Sequence, residues 1–210
     1  MGYSKITSKV AGQYVAPGLF VSQLKHLKRR KWQSVNLIDI VENRDSDKEH
    51  NRFALTFDDG YLSVYDVACP HLRARGMRGT IYIVTSQIGG TNEWDRIKGD
   101  CLEQMMTADQ IKDVHKQGFE IGSHTLTHPH LSELSDDKLH EEIFDSKKIL
   151  EDLLGDEVVG FSYPYGDYNE KVRDMVIEAG YKYAVATNLG VVTPQTGLFD
   201  IPRVNVRWNM

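Results

Sequence analysis

Cysteine is nearly missing from this chain: Cys69 and Cys101 are the only two in 210 residues. They are far apart and in no Cys-x-x-Cys spacing, which excludes a disulfide framework and a thiolate metal knot, so both read as free buried thiols. No apolar run reaches the length needed to cross a bilayer. The first residues, Met1 to Ser8, lack the continuous apolar stretch of a signal peptide. The expectation for the chain as given is therefore a cytoplasmic protein without a membrane span, with export open if a leader has been removed. A basic excess is also absent. The formal net charge is −5 and the pI about 5.9, which argues against a general nucleic-acid binder, a role that needs a basic surface to replace counterions on phosphates. The one locally basic stretch runs through Lys25, Lys28, Arg29, Arg30 and Lys31 and reads as a solvated helix face with a basic last turn rather than an anion-binding patch. No internal repeat, low-complexity linker or break in composition marks a second domain, so residues 1–210 read as one.

What is present is an ordinary globular composition, 40% hydrophobic and 26% charged, arranged as short apolar runs, turns and amphipathic segments in alternation. That pattern implies an α/β fold. Candidate strands fall at 53–57, 80–84, 119–123, 158–161, 183–186 and 201–206. The first strand ends in a turn before a segment around 64–75, and helices are expected from Thr107 (with Gln110 completing a capping box) to Gly118, at 135–154 before Gly155, and from Asn169 to Gly180. Residues 1–50 read as an opening helix and strand, with a charged surface loop from Glu42 to Asn51.

Three turns after strands carry unusual chemistry, and in such alternation turns after strands are where open, rigidly held sites form. The first holds Asp58 and Asp59, whose mutual repulsion in a partly buried turn calls for a cation or a strong basic partner; Asp-Asp-Gly is also a common turn. The second holds His124 and His128. At four residues apart they would share one face of a helical turn and suit a first-row divalent metal. The third, from Phe161 through Ser162, Tyr163, Pro164 and Tyr165 to Gly166, is either a packed aromatic corner or a place where the Tyr165 N–H meets a reacting oxygen.

Thr56-Phe57-Asp58-Asp59-Gly60, His124-Thr125-Leu126-Thr127-His128 and Tyr163-Pro164-Tyr165-Gly166, in this order and spacing, resemble the signature motifs of the polysaccharide deacetylase family, the chitooligosaccharide deacetylase homology domain. The resemblance extends from about Phe53 to the C-terminus and includes the softer matches Asn92 to Asp95 and Leu198 to Val206. It implies an irregular (β/α)7-type barrel and one divalent metal, zinc first, with cobalt or nickel as alternatives. It assigns the metal to Asp59, His124 and His128, the general base to Asp58 and oxyanion stabilisation to the Tyr165 N–H. The implied activity is removal of N-acetyl groups from N-acetylhexosamine glycans by metal-activated water. Two departures accompany it. Where the third motif usually begins with an arginine that orients the base, this chain has Ser162, and Arg203 on the last strand is the candidate substitute, an ordinary ion pair being the other reading. No histidine follows His140 to act as general acid, which leaves Asp58, metal-bound water, His130 or His71 to supply the proton. Trp94, Tyr163, Tyr165 and Trp208 could stack on sugars or pack the core. Hydrolysis of another amide or an O-acetyl ester, and a glycan-binding barrel without turnover, are the competing readings; the oligomeric state is open.

Overall fold

Strands this short, most of two to four residues, cannot bury both faces alone, and here helices cover one face while the curl of the sheet encloses the other. The structure, a computed structural model, describes residues 15–43, 51–96 and 102–206. Helix α1 (Pro17–Arg29) begins with proline, whose missing N–H costs nothing in a first turn, and ends on His26, Lys28 and Arg29. It leads into β1 (Gln33–Val35) and α2 (Leu37–Glu42), where Asn36 and Asp39 form a capping box. Then come β2 (Arg52–Ala54), β3 (Thr56–Phe57), a π-helical turn Val64–Ala68 running into α3 (Cys69–Arg73), and β4 (Thr80–Ile83). A short α4 (Glu93–Arg96) precedes α5 (Ala108–Lys116), which has the expected Thr107–Gln110 capping box, and β5 (Glu120–Ser123). The order finishes with α6 (Asp136–His140), a second π-helical turn Glu141–Asp145, α7 (Ser146–Leu154), β6 (Gly160–Ser162), α8 (Glu170–Glu178), β7 (Tyr183–Leu189) and β8 (Ile201–Arg203).

Among the described residues, β1 to β8 pair only in parallel. β3 to β8 form one sheet in sequence order, while β2 pairs with β1. Leu55 interrupts what the sequence suggests is a single strand at 53–57; its carbonyl accepts the Thr80 N–H at 2.8 Å. Counting β2 and β3 as one interrupted strand gives the seven positions of a (β/α)7-type barrel, open between β8 and β1 among the described residues. The helix expected at 135–154 contains the π turn. Cys69 is free and buried, whereas Cys101 and most of the 42–51 loop lie outside the described residues.

The alternation of strand residues builds two apolar clusters. Ile81, Ile83, Ile121, Phe161, Ala184 and Ala186 pack outward under helical residues such as Leu72, Ile111, Val114, Leu139, Ile143 and Leu150. Tyr82, Tyr183, Val185 and Ile201 fill the concave side with Leu37 and Val41. Two glycines make room for the tyrosines. A Cβ at Gly122 would stand 2.4 Å from the Tyr82 ring, and one at Gly160 would stand 2.3 Å from the Tyr183 hydroxyl. Tyr183 donates that hydroxyl to Glu120, which also accepts from Thr80 Oγ1 at 2.9 Å. The floor of the barrel is thus a closed polar cluster, and above it the next inward residues are Asp58, His124, Ser162 and Arg203.

Candidate active site

The site stands at the C-terminal ends of β3, β5, β6 and β8, and its loops depend on backbone that L-residues rarely adopt. Asp59, Thr125, His128 and Tyr165 have φ of 72°, 69°, 67° and 60°; such residues cost about 1–3 kcal/mol each and persist only where surrounding contacts over-determine them. Gly60, at φ 86°, turns the chain away after Asp59 in a space where a Cβ would meet Ile83 Cδ1 at 2.8 Å. The expectation of a helical turn presenting His124 and His128 on one face is corrected here. Residues 124–128 form an irregular loop, and the left-handed Thr125 and His128 fold it back so that both rings reach the same point.

What holds that loop is a buried carboxylate that sequence reasoning missed. Glu142, in the second π-helical turn and 8% exposed, accepts the Leu126 N–H at 2.9 Å, the Thr127 N–H at 2.8 Å and the Thr127 hydroxyl at 2.5 Å. Thr125 Oγ1 accepts the His128 N–H at 3.0 Å, and Ser123 Oγ accepts the Thr125 N–H at 3.2 Å. The sequence signal was present: Glu142 sits between Leu139, Ile143 and Ser146 on the face of 135–154 that carries the buried residues.

Within this frame one ligand atom from each of Asp59, His124 and His128 lies within 4.8 Å of the others. Asp59 Oδ1 is 3.4 Å from His124 Nε2 and 3.3 Å from His128 Nε2, and it is shielded from solvent with no well-aligned hydrogen-bond donor. Atoms bound at about 2.0–2.2 Å to a tetrahedral ion stand about 3.3–3.5 Å apart, so this donor set fits a divalent cation such as zinc. The far nitrogens are engaged: His124 Nδ1 donates to the Ser162 carbonyl at 2.7 Å and His128 Nδ1 is 3.1 Å from the Tyr165 hydroxyl. That arrangement turns both Nε2 atoms inward, as outer partners of metal-binding histidines do. The electrostatics agree. Burial would raise the Asp59 carboxyl, yet the two imidazoles hold it well below the usual carboxylate range. Burial would lower His124, but Asp59 and Asp58 raise it above the ordinary histidine value, the mark of a place that attracts positive charge. His128 is lowered, by burial first.

Asp58 stands beside this centre and is clamped. Arg203 Nη1 and Nη2 donate to its two carboxylate oxygens at 2.7 and 2.8 Å, a bidentate pair, while Arg203 Nε donates to the Ala186 carbonyl at 2.9 Å. Burial would raise the Asp58 carboxyl, but Arg203, then His124, keep it below its ordinary value. Ser162 Oγ lies 3.4 Å from both Asp58 Oδ1 and Arg203 Nη2. β8 therefore brings an arginine to the carboxylate from a side of the barrel different from that of Ser162.

The rim is aromatic. Trp94 stacks on His128 with centroids 4.5 Å apart, and His130 stacks on Tyr165 at 4.2 Å. His130 Nδ1 is 3.8 Å from Asp167, which places it at the site's edge. His71 belongs to α3 in the outer helical layer. Tyr165 remains 38% exposed, whereas Tyr163 is wholly buried in the core and so cannot stack on a sugar. Trp208 lies outside the described residues.

A family model described as polysaccharide deacetylase matches residues 45–184. The Bacillus subtilis protein YxkH, named as a polysaccharide deacetylase, is 28% identical over 189 residues; these are 89% of this chain but 63% of that protein, so the chain spans under two thirds of its length. A Staphylococcus aureus poly-beta-1,6-N-acetyl-D-glucosamine N-deacetylase is 24% identical over 94% of this chain and 69% of its own. Among solved structures, the Streptococcus pyogenes deacetylase PplD, in complex with acetate, superposes with a TM-score of 0.84 at 26% identity, covering 100% of this chain and 89% of that one.

Proposed function

The chain belongs to the polysaccharide deacetylase family, and from that premise we propose that it hydrolyses the N-acetyl groups of an N-acetylhexosamine poly- or oligosaccharide with the help of a divalent cation, zinc first. The observation that carries this reading is the convergence of Asp59, His124 and His128 with the clamped Asp58 beside them. When bound, the cation supplies Lewis-acid chemistry, lowering the pKa of water and polarising a carbonyl. Asp58 takes a proton from the attacking water as its oxygen bonds to the acetamide carbon. Arg203 keeps Asp58 ionised and fixes its orientation, and the Tyr165 N–H at its left-handed turn donates to the developing oxyanion. The C–N bond then breaks. Asp58 returns its proton to the leaving nitrogen, a role that needs no late histidine, and acetate and a free amine result. Trp94 and the exposed Tyr165 offer aromatic faces at the mouth for a sugar ring.

The test is acetate release from N-acetylglucosamine oligosaccharides, with O-acetylated glycans in parallel, after chelation and again after zinc is restored, beside Asp58→Asn. Metal-restored release from the N-acetyl substrates, lowered about 10²–10⁴-fold in Asp58→Asn, is expected. Release that survives chelation, or that occurs from the O-acetyl panel alone, overturns the reading.

A further inference from the structure

The basic stretch that the site does not use has a larger context. Seven of the chain's 25 lysines and arginines precede Asp39, and none of its 30 acidic residues does. A chain that is net negative therefore carries its opening segment as a concentrated positive charge. In the fold, Lys25, Lys28, Arg29, Arg30 and Lys31 are all exposed at the end of α1 and in the turn after it. None of the five forms an ion pair among the described residues, whereas Lys148 and Lys171 on other helices are paired with Asp152 and Asp136 at 2.6 Å. Lys28 Nζ reaches the Arg75 carbonyl at 3.4 Å, and Ser34 bonds both backbone groups of Arg78, so two more arginines flank the stretch. Beside it Trp32 is 39% exposed, with one edge against Phe53.

We propose that the end of α1, with Lys25, Lys28, Arg29, Arg30, Lys31 and Trp32, is a docking surface for the anionic headgroups of a phospholipid bilayer. Clustered lysines and arginines near an anionic bilayer each strengthen binding about fivefold, and a partly exposed indole among them is suited to the headgroup layer. The exposed Trp32 indole among these cations selects a bilayer over a soluble polyanion, which offers it no interfacial layer to enter. A flat surface meets one face of the molecule, and beyond a Debye length of about 8 Å the acidic remainder is screened. The placement also fits. α1 leads into the N-terminal end of β1, and Arg75 and Arg78 precede the N-terminal end of β4, whereas the Asp59, His124 and His128 centre stands at the C-terminal ends of the same parallel strands. Docking by this face directs the mouth of the site away from the bilayer.

The experiment is co-sedimentation of the full chain with phosphatidylcholine vesicles containing about 30% phosphatidylglycerol and with phosphatidylcholine alone, at low and high salt. Binding is expected only to the anionic vesicles and should be lost at high salt. The triple variant Lys28→Glu, Arg29→Glu, Lys31→Glu should bind at least about 100-fold more weakly, and Trp32→Ala should weaken binding without changing its salt dependence. Unfolding temperatures of both variants establish that they remain folded, and neither alters the metal-binding loops. No binding to anionic vesicles, equal binding by the triple variant, or displacement from vesicles by an equal charge of polyphosphate would each overturn the proposal.

Discussion

Replacing Glu142 separates what holds the histidine loop from what the loop holds. The Glu142 carboxylate accepts three hydrogen bonds from Leu126 and Thr127. Hydrogen bonds to a charged group contribute about 1.5–3 kcal/mol each, and each stranded backbone N–H costs about 1–3 kcal/mol. In Glu142→Ala the loop can swing toward water and recover part of this, so a stability loss of about 2–4 kcal/mol is expected in the metal-free protein, read by urea unfolding. The same change frees Thr125 and His128 to leave their left-handed conformations, which withdraws the inward aim of both Nε2 atoms. Outer-shell substitutions of this kind weaken metal affinity about 10–100-fold, measurable by zinc competition against a chelating dye. Glu142→Gln keeps one carbonyl acceptor and should fall between the two proteins on both scales. If Glu142→Ala loses stability yet binds zinc as tightly as the parent, the loop geometry is not set by this carboxylate and the reasoning fails.

Arg203→Lys keeps the positive charge but loses the two-pronged grip on Asp58, so kcat for acetate release should fall tenfold or more; near-normal turnover would reduce the pair to a structural tie. Gly122→Ala places a methyl group in the Tyr82 ring and should cost about 1–3 kcal/mol, seen as a fall of several degrees in Tm; an unchanged Tm refutes the packing account. Burial raises the Glu120 carboxyl above 4.5, so the native state holds this proton more tightly than the unfolded chain. Its contribution to stability is full below that value and declines as pH rises through the native one. The stability of the parent relative to Glu120→Gln should therefore decrease from pH 5 to pH 8 in urea unfolding, and a constant or increasing difference contradicts the sign.

Local chemistry was legible where it depends on a few neighbouring residues. The Thr107–Gln110 cap, the Asn169 cap, the left-handed Gly155 and the apolar run of β4 follow from propensities that operate within a turn or a strand. Boundaries that depend on packing were not. The Leu55 interruption and the π turn at Glu141–Asp145 arise where the chain meets other elements, and nothing within either segment announces them.

By itself the sequence determined the α/β alternation and the three turns bearing Asp58 and Asp59, His124 and His128, and Tyr165, because periodicity and residue chemistry are local properties. Tertiary structure alone decided that His124 and His128 meet through a left-handed loop instead of a helix face, that Glu142 holds that loop, and that Arg203 grips Asp58 across the barrel. These are contacts between residues as much as 145 positions apart, and such contacts exist only once the parallel strands have curled and brought their C-terminal ends together.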